Sequence, residues 1–271
     1  MQVRRPAVAG SFYPADPDAL RAAVETVLQG ARSQKGAGAP PKAVVVPHAG
    51  YRFSAPVAAS GYARLSPLRG RIERAVLLGP AHRSPQTPVA APSVDAFETP
   101  LGLLPLDRPA RDQLVDAGLV VIDDLAHAAE HSLEVQLPFV QMTLGDVRVL
   151  PLVVGDVSAI AVAAVLEVVW GGPETVVIVS TDLSHYHEHH IAEQLDRRTA
   201  QAVVDKRPGD IGPRDACGVV PLQALLLAAA QRHLDVELLD LRTSADTAGG
   251  QGAVVGYGAF ALGAPDAEVA S

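Results

Sequence analysis

Four short runs of aliphatic residues, each ended by proline, glycine or a hydroxyl residue, constrain this chain most. They are Ala43–Val46 before Pro47, Ala75–Leu78 before Gly79-Pro80, Val147–Val154 before Gly155, and Thr175–Val179 before Ser180-Thr181-Asp182. Runs that are largely apolar throughout, instead of at every second position, fit strands covered on both faces. Two later runs, Val236–Leu241 and Ala253–Leu262, read the same way. Between the runs lie helical spacings over roughly Ala55–Leu65, Arg108–Ala117, Ser158–Val169, Ile191–Val204 and Val219–Ala230. Ser132–Leu144 is also helix-like, with Pro138 set to kink or restart it. Strands alternating with helices predict an α/β protein, a three-layer α/β/α sandwich.

The first helix is signposted by Asp16 as N-cap, Pro17 at the first helical position and Asp18 in the first turn. Gly30–Pro41 reads as a loop, Gly249–Gly252 as a turn, and 263–271 as a loose tail. With no internal repeat and no low-complexity linker, the spacing predicts one domain over 1–271, its core at about 3–262.

At 48% apolar and 19% charged, the chain has the composition of a folded protein. A net charge of −8 with no basic run excludes a nucleic-acid partner, which needs clustered cations. One cysteine, Cys217, excludes an internal disulfide and any multi-thiolate metal site. Arg4-Arg5 is followed by no apolar segment of about 7–15 residues, so no signal peptide is expected. The longest apolar run, Ala159–Leu166, is far short of the ~20 residues that span a bilayer. A cytoplasmic protein with no membrane contact is the expectation. Phosphate-loop, dinucleotide-turn and nucleophile-elbow motifs are absent.

Polar residues stand where the expected strands end: His48 after Val46-Pro47, His82 after Pro80-Ala81, and Asp182 and His185 after the fourth run. In open α/β sheets the ligand crevice lies beyond the carboxyl ends of the strands. If the strands are parallel, three of them deliver these residues to one edge. His48 and His82 then read as a pair of metal ligands, against the alternative of loop histidines satisfied by water or backbone. Cys217 precedes a helix, whose dipole favours thiolate and would make it nucleophile or ligand. An inert packed cysteine is the alternative. His131 and Glu134 lie three apart in Glu130-His131-Ser132-Leu133-Glu134 and would bind or support a ligand, unless Glu130 and Ser132 simply cap a helix. Asp182 is expected to orient His185 or to cap the next turn, and neither use excludes the other. His187, His189 and His190 are expected to open a solvated helix, and His127 and His233 to be surface or structural.

These segments together resemble the Memo family, whose prokaryotic members are called AmmeMemoRadiSam system protein B. The resemblance rests on Arg5-Pro6-Ala7-Val8-Ala9-Gly10-Ser11-Phe12-Tyr13-Pro14, Val46-Pro47-His48-Ala49-Gly50-Tyr51, Leu78-Gly79-Pro80-Ala81-His82, the Glu130–Phe139 stretch, Ser180-Thr181-Asp182-Leu183-Ser184-His185 and Ala216-Cys217-Gly218. It runs from about Val3 to Leu262. It implies a central mixed sheet similar to that of class III extradiol dioxygenases, which are non-haem iron enzymes. By that likeness His48 and His82 correspond to the two histidine ligands, Cys217 stands where the dioxygenases have a glutamate, and His185, beside Asp182, corresponds to their acid/base histidine. Tyr51, His131 and Glu134 would line the substrate pocket.

The resemblance therefore implies a metal-binding, dioxygenase-like redox protein with one transition metal, Fe(II) first and Cu or Zn as alternatives, since thiolate is softer than carboxylate. It also implies Amme-like and radical SAM partners. Two other readings remain open here: a non-catalytic scaffold or metal-handling module, and metal-free nucleophilic catalysis by Cys217.

Overall fold

The computed structural model describes residues 1–34, 39–250 and 252–264. In chain order its elements are β1 (Val3–Arg4), α1 (Pro17–Gln34), β2 (Ala43–Val46), α2 (Tyr51–Leu65), β3 (Arg74–Pro80), β4 (Val89–Ala91), β5 (Ala96–Thr99), β6 (Gly102–Pro105), α3 (Arg108–Asp116), β7 (Val121–Ile122) and α4 (Asp124–Ala128). There follow α5 (Leu137–Leu144), β8 (Arg148–Val154), α6 (Ala159–Val169), β9 (Thr175–Ser180), β10 (His185–Glu188), α7 (His189–Val204), α8 (Val219–Gln231), β11 (Asp235–Thr243), α9 (Ser244–Ala248) and β12 (Ala253–Gly263).

The large sheet runs β10-β12-β2-β9-β3-β8-β4-β7, with β11 also paired to β12. Its centre, β2, β9, β3 and β8, is parallel, while β12 and β4 run antiparallel to their neighbours β2 and β8. The sheet is mixed, as the resemblance implies. Side chains alternate faces along each strand. Val44 and Val46 join Leu20, Tyr62 and Phe139 from α1, α2 and α5. Val45 joins Leu114, Leu166 and Leu225 from α3, α6 and α8 on the other face. That is the three-layer sandwich, and burial on both faces explains why the central strands are apolar throughout.

The apolar strands lie where the runs predict them, within a residue or two. The differences fall at element ends and in small polar elements. α1 continues through Gly30 to Gln34, so the loop expected over Gly30–Pro41 begins later, and 35–38 lie outside the described residues. The tail expected over 263–271 lies largely outside them too. Pro138 does restart the Ser132–Leu144 segment: a single 3-10 turn at Glu134–Gln136 precedes α5. The three-stranded sheet β1-β5-β6 has no apolar run to announce it. His187 belongs to strand β10, and the helix expected after it begins at His189. Among the described residues no helix is long and apolar enough to cross a membrane.

Candidate metal centre

β2, β3 and β9 are parallel neighbours, and each releases its site residue two positions past its last strand residue: His48 after Val46, His82 after Pro80, Asp182 after Ser180. The same offset on adjacent parallel strands brings all three to one sheet edge. Asp182 Oδ1 accepts the His48 backbone N–H at 2.7 Å, tying two strand ends together.

Each of the four imidazoles at this edge has its Nδ1 engaged. Ser180 Oγ donates to the Ser132 carbonyl (2.7 Å), so it can only accept at His48 Nδ1 (3.0 Å). His48 therefore carries its proton on Nδ1. Glu130 Oε1 accepts from His82 Nδ1 at 3.0 Å and lies 3.2 Å from His131 Nδ1. The Leu183 carbonyl accepts from His185 Nδ1 at 2.8 Å. Four imidazoles thus present Nε2 as a lone pair, the tautomer a ligand needs, and two of them lean on a carboxylate as metal-bound histidines do.

Among the described residues, His48, His82 and His131 are the one group of three potential ligands whose donor atoms all lie within 4.8 Å of one another, and together they can hold a metal ion. His82 and His131 stack at 4.7 Å, and both stand edge-on to His48. Cys217 Sγ approaches from the loop before α8, 3.3 Å from His48 Nε2. Donors sharing a tetrahedral ion through imidazole and thiolate are about 3.6 Å apart. The Cys217 loop is docked by its backbone N–H on the Asp182 carbonyl, 3.2 Å. Gly218 permits that docking, since a Cβ there would lie 2.8 Å from the Ser180 carbonyl oxygen.

These residues open on a cavity of about 670 Å³ that also holds Asp182, His185, Tyr186, His187 and Arg214. Comparisons with known proteins give the chain's family. A family model described as Memo-like protein matches residues 4–261. A MEMO1 family protein from Methanopyrus kandleri is 39% identical, covering 95% of this chain and 98% of its own. Others from Methanothermobacter thermautotrophicus (34%; 94% and 98% covered) and Methanosarcina barkeri (35%; 95% and 99%) match over similar spans. The chain belongs to the Memo family.

In this Memo protein several residues sit elsewhere than the sequence predicts. Glu134 is fully buried and faces away from the cavity: it takes hydrogen bonds from Arg4, the Ala7 and Val8 backbone and the Tyr13 hydroxyl. Its role is to clasp the N-terminal segment. Tyr51 gives its hydroxyl to the Val135 carbonyl at 2.7 Å and lines a separate depression with Phe12 and Tyr13. Of the three residues expected in the substrate pocket, only His131 lines this cavity. His185 is oriented by the Leu183 carbonyl, while Asp182 serves His48 and the cavity wall. His127 is buried, its Nε2 on the Ala90 carbonyl, so it is structural and not a surface residue.

Cys217 also departs from expectation. Burial, then the Asp182 charge, push its thiol up to about 12, outweighing any help from the helix start. Burial lowers His48 to about 4, keeping it neutral. Burial alone would raise Glu130, yet hydrogen bonds from His131, His82 and Ser132 outweigh it and hold the carboxyl far below the ordinary carboxylate range. Glu130 is the functional residue that the sequence reading takes for a cap. Its contact with His82 spans 48 positions, and no local pattern signals it.

Proposed function

We propose that this protein is a metal-dependent, dioxygenase-like redox enzyme acting on a small oxygenated substrate. The observation that supports it is the gathering of potential ligand atoms from His48, His82 and His131 within 4.8 Å of one another, with each Nδ1 beside an acceptor. His48 and His82 are ligands, with Cys217 as the third, and His131 faces the same point. A bound transition metal, iron first and copper or zinc as alternatives, would supply a Lewis acid with open positions for substrate and oxidant. His185 Nε2 is free to take a proton from a substrate hydroxyl and return it later, because Nδ1–H is fixed on Leu183. Glu130 holds His82 and His131 in place.

A high thiol pKa disfavours the metal-free cysteine nucleophile, which needs thiolate at neutral pH. The proposal keeps the protein in the cytoplasm, with Amme-like and radical SAM proteins as candidate partners to be sought by co-purification.

The deciding experiment is elemental mass spectrometry after anaerobic purification, on wild type, His48→Ala, Cys217→Ala and His185→Ala. The expected result is about one metal ion per chain, reduced in the first two variants and kept in the third. Oxygen consumption with catechols then tests turnover, which His185→Ala should abolish. Metal-free wild type after anaerobic reconstitution would overturn the reading.

A further inference from the structure

Among the described residues, three other than glycine have positive φ: Tyr186 (62°), Lys206 (53°) and His233 (54°). Lys206 and His233 each lie two residues past the end of a helix, α7 and α8, where a left-handed residue ordinarily closes the last turn. Tyr186 has no such reason. It sits inside β10, at a register shift against β12 between His185 and His187. A bulky side chain is strained in this conformation, and such strain concentrates where function needs it. Packing does not repay the cost, because Tyr186 is 76% exposed.

The bulge has one visible consequence. In a regular strand His185 and His187 would face one side and Tyr186 the other. Here all three line the cavity of the metal centre. The Tyr186 ring stands edge-on to His185, with centroids 5.7 Å apart.

Arg214 lines the same cavity and has no hydrogen bond or ion pair among the described residues. Its neighbour Asp215 is already engaged, accepting from the Gly212 N–H at 2.7 Å and lying 3.5 Å from Arg198. The acid that lines the cavity, Asp182, accepts the His48 N–H. The cavity therefore has an unpaired guanidinium and a strained aromatic ring on its rim.

We propose that Tyr186 and Arg214 form a recognition rim and that the centre takes a flat organic anion, its ring against Tyr186 and its carboxylate on Arg214. This deepens the function proposed above and rests on it for the position of the reacting end. Charge-assisted guanidinium–carboxylate pairing supplies preference for an acid over its neutral isostere.

The test is anaerobic calorimetric titration of the full chain with 3,4-dihydroxybenzoate and with 3,4-dihydroxybenzamide, after metal content has been measured. The acid should bind about tenfold more tightly than the amide. Arg214→Gln should abolish that preference and leave the amide within about twofold. Tyr186→Gly should weaken both probes about tenfold while melting no lower than wild type, because glycine adopts this φ without strain. Equal binding of acid and amide by wild type, or a preference that survives Arg214→Gln, overturns the proposal. Unchanged binding by Tyr186→Gly overturns the part given to the ring. A chain that takes up no metal counts against the metal centre, not the rim. The same titration of the metal-free chain is then decisive, since neither rim residue is a ligand.

Discussion

At Glu130 one carboxylate receives the His82 and His131 backbone N–H groups, the Ser132 N–H and the His82 ring, with the His131 ring 3.2 Å away. Glu130→Gln keeps the shape but turns one oxygen into a donor that faces donors. The expected result is metal affinity lower by about 10–100-fold, read by competition with a chelator, in a protein whose far-ultraviolet dichroism is unchanged. His127 makes a pH prediction. Its unfolded pKa is near 6.5 and burial lowers the folded value to about 4. Between those values the unfolded state holds more protons, so stability falls as pH drops through that window. The loss at pH 5 is roughly 2 kcal/mol, and His48 behaves alike. Urea unfolding in a chelating buffer at pH 7 and pH 5 should show a smaller drop for His127→Gln, whose amide can still reach the Ala90 carbonyl. An equal drop would refute the assignment.

Among the elements, the short N-terminal strand and the loop before α5 depend on each other. Arg4 of β1 reaches Glu134 at 2.6 Å and also donates to the His127 and Glu130 carbonyls. Removing one partner of a buried ion pair leaves an uncompensated charge and costs about 3–5 kcal/mol. Glu134→Ala should lower the urea midpoint accordingly, while the remaining folded fraction should keep His48, His82 and His131 together. β3 meets the same loop at Gly79, where a Cβ would lie 2.9 Å from both Ser132 Oγ and Leu133 Cδ2. Gly79→Ala should displace the Ser132 segment and cost about 1–3 kcal/mol in overpacking. It should weaken metal binding too, because His131 precedes Ser132. Chelator competition on the refolded variant distinguishes the two effects.

For the molecule as a whole, three strands, two loops and a helix start meet at the centre, so a ligand there binds the folded state alone. Metal at about 100 times its dissociation constant should add about 2.7 kcal/mol. For a chain of this size that raises Tm by roughly 5–10 °C. Thermal melts with and without chelator measure it, and His82→Ala should show no shift. A shift of the same size in His82→Ala would place the binding elsewhere.

The sequence alone determined the buried strands and the positions of His48, His82 and Asp182 at their ends. Hydrophobic runs, chain breakers and helical spacing are local, and burial on both faces demands them. It also carried the family, whose motifs are contiguous. Tertiary structure decided what local pattern cannot hold. Strand direction turned matched offsets into a shared edge. The fold gave Glu134 to the N-terminal segment and Glu130 to two histidines, brought His131 rather than Tyr51 to the centre, and buried the Cys217 thiol deeply enough to reverse its expected acidity. Each of these depends on contacts between residues far apart in the chain, and so on the desolvation and hydrogen-bond partners that only the folded chain provides.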